Sequence, residues 1–299
     1  IRLAMEKVED VPSNRPTVTF TTSSDRYTHE KWLKEQGADL ESPENQSLLK
    51  ISASLENFTT ECQNKKPSEE AIKNILPLVK DAYLALAKSG VEEAIINSVW
   101  TRLGDCVSTM SRGIESAESE AYSFSREVLL QCAMHELPRP APEHDSTYNF
   151  PSWSSAPRNA AAQGLPWLAI RKTDKAMLEA IEALAHDKKP SVRFLVTSEL
   201  WRLLYMESEF FWRLVNYIGE NETNRVVLQT LGHTIGRILT VDIAKSIEVL
   251  DKLLKRISLE EDRELIDAIV PLIMWLHIVK QNMWANTKVN NFLVDPVLY

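Results

Sequence analysis

The chain has 299 residues, 44% hydrophobic and 25% charged, which is enough to bury a sizeable core as one or two domains or as an elongated array of repeats. Its formal net charge of -8 argues against a broad phosphate-binding surface, which needs clustered Lys and Arg, although a local basic patch remains compatible with it. With 8 Gly and few stretches that alternate apolar and polar residues, the sequence predicts an all-α fold.

The first half of the chain divides into three segments. Residues 1–42 show no sustained hydrophobic period, which predicts an irregular, extended lead-in or linker in which one short strand at 17–21 is the alternative. Five prolines in 138–157 exclude a regular helix there and predict a long loop or a domain boundary. Between these segments, 43–137 is predicted to form helical hairpins, with helices at Pro43–Cys62, Pro67–Lys88, Val91–Arg112 and Glu118–Leu137.

A period of 35 residues organises 158–299. Apolar residues recur at offsets of 0, 4, 7 and 8 in each copy, which form one face of a helix. A regular two-helix unit of this length is typical of an α-solenoid of stacked antiparallel helix pairs, since one pair cannot cover its own apolar face. The alternative is a bundle whose helices share the spacing by coincidence. First helices start their stripes at Ala161, Val196, Leu231 and Ile266, and second helices lie at about 173–187, 207–220 and 241–257.

The turn from Asp187 to Arg193 joins two of these helices, and Pro190 opens the second one. With Val192 and Arg193 in the first helical turn, this pattern resembles the HEAT-repeat (armadillo-like) family, best over 155–280. The resemblance implies a HEAT-like solenoid over 158–299 with a C-terminal cap, in which aspartates and arginines form side-chain ladders between units. Arg158 matches Arg193, but the turn aspartate is not repeated as a regular ladder. The resemblance indicates an architecture and leaves the activity open.

Motifs for catalytic, cofactor or metal sites are not found. None of the six histidines lies in an HExxH or CxxC context, and the sequence has no glycine-rich phosphate loop and no GxSxG motif. Gly232 and Gly236 form a lone GxxxG, which we interpret as close helix packing. Paired glutamates such as Glu69 and Glu70 are interpreted as favourable charges at helix starts rather than as acid-base catalysts. We therefore expect a non-enzymatic protein without a cofactor.

Two sets of side chains are candidates for a partner-binding surface. One set lies at helical spacing on a second helix, and second helices usually line the concave surface of a solenoid. For its phenylalanine, burial against the next repeat is favoured over exposure in a groove. The other set occupies equivalent positions on successive first helices, and this alignment predicts a ridge on the surface. The alternative is that its charged side chains are merely solvated. The first set is Phe210, Arg213 and Tyr217, and the second is Trp167, Arg202 and Arg237.

The expected function is recognition of a protein or peptide, as a scaffold or as the sensor or regulatory region of a larger polypeptide. The start at Ile1 and the irregular lead-in favour the larger polypeptide. Three widely spaced cysteines and the lack of a long apolar run predict an intracellular, cytoplasmic protein without membrane contact.

The alternative function is that of a HEAT-like nucleic-acid-binding or DNA-repair protein, similar to the alkylpurine DNA glycosylases. This function requires a cationic concave face and a catalytic acid near aromatic side chains. The net charge argues against it. The residues that favour it are Trp201, Trp212, Arg193, Arg202, Arg213 and Arg225.

Overall fold

The computed structural model describes residues 26–86, 91–146, 148–149, 153–257 and 263–294. This part of the chain is helical and has no strand, which confirms the all-α prediction. The helices are α1 Arg26–Glu35, α2 Pro43–Glu61, α3 Glu69–Leu86, α4 Glu93–Gly113, α5 Glu120–Ala133, α6 Pro142–Asp145, α7 Pro157–Ala169, α8 Lys175–Ala185, α9 Pro190–Glu199, the 3₁₀ helix η1 Leu200–Leu203, α10 Ser208–Asn221, α11 Arg225–Ile238, α12 Ile243–Leu254, α13 Arg263–Ile278 and α14 Met283–Val294.

These helices pack in two series. In the first series, α2, α4, α7, α9, α11 and α13 contact one another in that order. In the second series, α3, α5, α8, α10 and α12 do the same, and α14 packs on α13. Each helix of the second series also packs against neighbours in the first. Contacts are more extensive along the first series than along the second, so the first-series helices lie closer together.

The repeating apolar stripe faces the interior in three of its four copies. Ala161, Val196 and Leu231 are fully buried on α7, α9 and α11, and so are the residues four places after each. On α13 the buried residue is Leu265 rather than the expected Ile266, which is only partly buried. The 35-residue step therefore holds through α11, and the buried face of α13 begins one residue earlier.

Two glycines allow close approach of helices in the first series. A Cβ atom at Gly164 would lie 2.7 Å from Cδ1 of Leu129 and 3.1 Å from Cα of Ser108, so α7 fits against α4 and α5 because this residue has no side chain. A Cβ atom at Gly232 would lie 3.2 Å from Cβ of Ala268 on α13. This contact agrees with interpreting the GxxxG pattern as close helix packing.

One hydrophobic cluster runs from Leu33 to Val289. The predicted boundary at 138–157 does not divide it, because α7 packs against both α4 and α5, and the loop itself includes the short helix α6. The lead-in predicted for 1–42 contains α1, whose fully buried Leu33 was not detected because the helix is too short to show a sustained period. The alternative strand at 17–21 lies outside the described residues. Among the helices of the described ranges, none is both long enough and apolar enough to cross a membrane.

Arg158 and Arg193 form equivalent ion pairs between neighbouring helix pairs. Nε of Arg158 donates to Asp187 and Nε of Arg193 donates to Glu222, each at 2.7 Å. Each arginine also donates to a backbone carbonyl beyond the end of a preceding helix, that of His135 or of Asp187, at 2.7 Å. Glu222 lies one 35-residue step after Asp187, so a glutamate continues the pairing where no second aspartate occurs.

Candidate functional site

A cleft of about 550 Å³ lies across four helices of the first series, α2, α4, α7 and α9. Residues from the connection before α7 also line it. Its volume falls in the range of ~300–1,000 Å³ that is usual for ligand-binding clefts. The charged and aromatic side chains that line it are Glu56, Arg102, Asp105, Arg112, Trp153, Trp167 and Glu199.

The carboxylate of Asp105 lies on the face of α4 that is turned to the cleft. Helical spacing places Arg102, Thr109 and Arg112 on the same face, while α4 buries an apolar stripe against its neighbours. Burial raises the pKa of Asp105 from 3.8 to about 6, although a hydrogen bond from Ser155 and the charge of Arg102 both lower it. Among the described residues, Asp105 has no partner in an ion pair. The side chain is therefore a partly buried carboxylate whose charge is not neutralised.

Both arginines of the cleft already have partners. Arg102 pairs with Glu56 at 2.8 Å, and Arg112 donates to the backbone carbonyl of Cys62 at 2.7 Å. The lining thus contains three carboxylates and two guanidinium groups, with one of those carboxylates unpaired at Asp105. Since Glu56 and Glu199 are balanced by Arg102 and Arg202, the carboxylate of Asp105 favours a positively charged group at its own position.

A stack of tryptophan and arginine side chains adjoins the cleft. Cζ of Arg202 lies 3.3 Å from the ring centroid of Trp167 and 4.3 Å from that of Trp201, and its Nε donates to Glu199 at 2.5 Å. Burial lowers the pKa of Arg202, against the opposing effect of Glu199. Arg237 lies 5.5 Å from the ring of Trp201. Of the predicted ridge, Trp167 and Arg202 are thus in direct contact, and Arg237 joins them through Trp201.

The other predicted set, Phe210, Arg213 and Tyr217, lies on α10 and away from this cleft. Phe210 is only 9% exposed, so it does not line an exposed groove, because it packs into the core under the guanidinium of Arg213 at 5.1 Å. Arg213 also pairs with Glu182. Tyr217 is 38% exposed, packs against His186 and lines a smaller cleft of about 260 Å³.

Most residues that favoured a nucleic-acid interface have other roles. Trp212 is buried, and Arg193 is held by Glu222. Arg225 donates to a backbone carbonyl. Trp201 and Arg202 remain beside the cleft, where Arg202 is paired with a carboxylate.

Several residues of the cleft were missed by the sequence analysis. The stripe of Arg102, Asp105 and Arg112 on α4 was readable as a polar face at helical spacing. Trp153 carried no such signal, because it lies in the irregular connection before α7, where local sequence does not fix a position in space.

Within the described ranges, no three or more His, Cys, Asp or Glu side chains form a group able to hold a metal ion. Comparison with protein-family models, with curated proteins and with solved structures finds no match for the chain. Function therefore has to be inferred from the geometry and charge of the cleft.

Proposed function

We propose that the protein is a non-enzymatic, HEAT-like α-solenoid that recognises a polypeptide partner in the cleft across α2, α4, α7 and α9. The solenoid is supported by the 35-residue period, by the two series of contacting helices and by the pairs Arg158–Asp187 and Arg193–Glu222. Helices on the inner arc of a curved stack lie closer together, so the first series suits the concave side. The sequence pattern instead predicts the second helices, including α10, on that side.

The residues that line the cleft are the observation that supports polypeptide recognition. Exposed or half-buried tryptophans supply apolar contact area, and the hydroxyl and amide groups of side chains such as Thr59, Ser155 and Gln163 suit the peptide backbone. Glu56 neutralises Arg102, and Arg112 is tied to the backbone carbonyl of Cys62, so the cleft does not offer the cluster of free cations that a phosphate backbone needs. A peptide segment satisfies this mixture of groups better than a nucleic acid does.

Such a module serves as a scaffold or as the recognition region of a larger polypeptide. Its three free cysteines are all buried, which suits a reducing compartment, and we propose the cytoplasm.

Selection from a display library of random peptides tests this function. Selected peptides are expected to bind the wild type in a fluorescence-anisotropy titration and to lose affinity for Trp153→Ala, which removes a 49% exposed side chain from the cleft. Tyr217→Ala is the matched control, because it removes an exposed aromatic side chain from the smaller cleft. Failure to select any peptide, or a loss of binding with Tyr217→Ala instead, would contradict recognition in the larger cleft.

A second candidate is the DNA-repair function of a HEAT-like glycosylase. The observation that favours it is Asp105, a partly buried acid with a raised pKa in a cleft that also holds Trp153 and Trp167. An acid beside aromatic rings suits the extraction and cleavage of a base.

A DNA-binding titration at several salt concentrations separates the two candidates. Submicromolar binding that weakens steeply with salt, together with Asp105-dependent release of an alkylated purine, would favour the repair function. Weak binding without base release would support polypeptide recognition.

A further inference from the structure

The charge of Asp105 points to a more specific ligand. Glu56 and Glu199 each have a guanidinium partner, Arg102 and Arg202 respectively. Asp105 has a neutral hydrogen-bond partner, Ser155, and only the longer-range charge of Arg102. A partly buried carboxylate without an ion-pair partner is costly unless a cation completes it. The cleft therefore favours a positive group at Asp105.

The neighbouring Arg202 shows which cation suits these surroundings. Its guanidinium contacts the rings of both Trp167 and Trp201 and pairs through Nε with the carboxylate of Glu199. A guanidinium can contact indole rings and pair with a carboxylate at the same time, because it is planar, is weakly hydrated and carries N–H donors along its edge. An ammonium group is a strongly hydrated point charge.

The same two kinds of group occur around Asp105. Trp153 lies two residues before Ser155, which contacts Asp105, and both line the cleft. One side of the Trp153 ring packs near Phe194, with centroids 5.7 Å apart, and the side chain is 49% exposed. Asp105 and Trp153 thus line the same cleft, and within the described ranges no cation of the chain lies over the Trp153 ring or forms an ion pair with Asp105.

We infer that the cleft accepts an arginine side chain of the polypeptide partner, which pairs with Asp105 and stacks on Trp153. This inference rests on the proposed function and adds the residue by which the partner is recognised. Arginine is preferred over lysine because only the guanidinium combines stacking with a two-donor contact to a carboxylate.

Four pools of acetylated, amidated heptapeptides test the inference. Their central residue is Arg, Lys, citrulline or Glu, and all other positions are randomised. Citrulline keeps the shape of arginine without its charge. In anisotropy titrations the Arg pool is expected to bind the wild type roughly 30-fold more tightly than the citrulline pool, the effect of about 2 kcal/mol for a desolvated charge pair.

Asp105→Asn is expected to reduce the affinity of the Arg pool to that of the citrulline pool. Glu220→Gln is the control, since Glu220 lies outside the cleft and is expected to leave affinity unchanged. Equal binding of all four pools, or an Arg preference that survives Asp105→Asn, would refute the arginine site while polypeptide recognition stands. If none of the pools binds, both proposals fall.

Discussion

Replacement of Asp105 by Asn is expected to stabilise the fold at neutral pH, although it removes a charged side chain from the cleft. The reason is that the folded state holds this carboxylate where burial disfavours its charge. Asn has nearly the same shape and does not titrate, and its amide oxygen still accepts the hydrogen bond from Ser155.

The magnitude follows from the pKa of Asp105, which burial raises from 3.8 to about 6. Because the folded pKa is raised, the stability linked to this group is fully present below pH 3.8 and is lost as the pH rises through about 6. Each pKa unit corresponds to about 1.4 kcal/mol, so the full loss in the wild type is about 3 kcal/mol. The pKa of about 6 already includes the lowering caused by the charge of Arg102, so no separate correction for this charge is needed.

Urea unfolding followed by circular dichroism at a series of pH values measures the effect. Asp105→Asn and the wild type should have similar free energies of unfolding near pH 3.8, and the variant should gain up to about 3 kcal/mol by neutral pH. Glu220→Gln, at an exposed position, should follow the wild type within ~0.5 kcal/mol. If the difference in free energy of unfolding between Asp105→Asn and the wild type does not depend on pH, or if the variant is less stable at neutral pH, burial does not disfavour the charge of Asp105.

Three further predictions concern the helix stack. Glu222→Ala should cost ~3–5 kcal/mol in urea unfolding because it leaves the largely buried charge of Arg193 without a carboxylate partner, whereas loss of the exposed Glu220 should cost less than ~1 kcal/mol. Gly164→Ala should cost ~1–3 kcal/mol, since its Cβ would overlap Leu129, while Gly219→Ala, which meets only ordinary contacts, should stabilise by ~0.5–1 kcal/mol. Leu200→Asp should abolish the cooperative thermal transition, and an unchanged transition would contradict burial of this stripe.

The helices and their buried faces were readable from the sequence because both depend on local spacing. Apolar residues at helical offsets define a stripe wherever they occur, so the buried Val196 and Leu231 followed from the pattern alone. The start of α9 at Pro190 followed from the preference of proline for the first helical turn. The short α1 was missed because a helix of ten residues around the buried Leu33 is too short to show a period.

The side-chain pairs between helices were only partly readable. Trp167 and Arg202 stand one 35-residue step apart, which predicted that they are neighbours on successive helices. The pairing of Arg193 with Glu222 was missed, because the repeat pattern predicts an aspartate 35 residues after Asp187. The structure has a glutamate, with a longer side chain, at that position.

By itself the sequence determined that the chain is helical, where most helices begin, which faces they bury and that HExxH, GxSxG and glycine-rich phosphate-loop motifs are absent. Only the tertiary structure decided that Asp105 and Trp153 line one cleft, and that Phe210 lies in the core instead of on a binding surface. The physical reason is that helix formation and stripe burial follow from neighbours within about four residues. A cleft depends on side chains from α2, α4, α7 and α9, whose relative positions are set by packing across the whole stack.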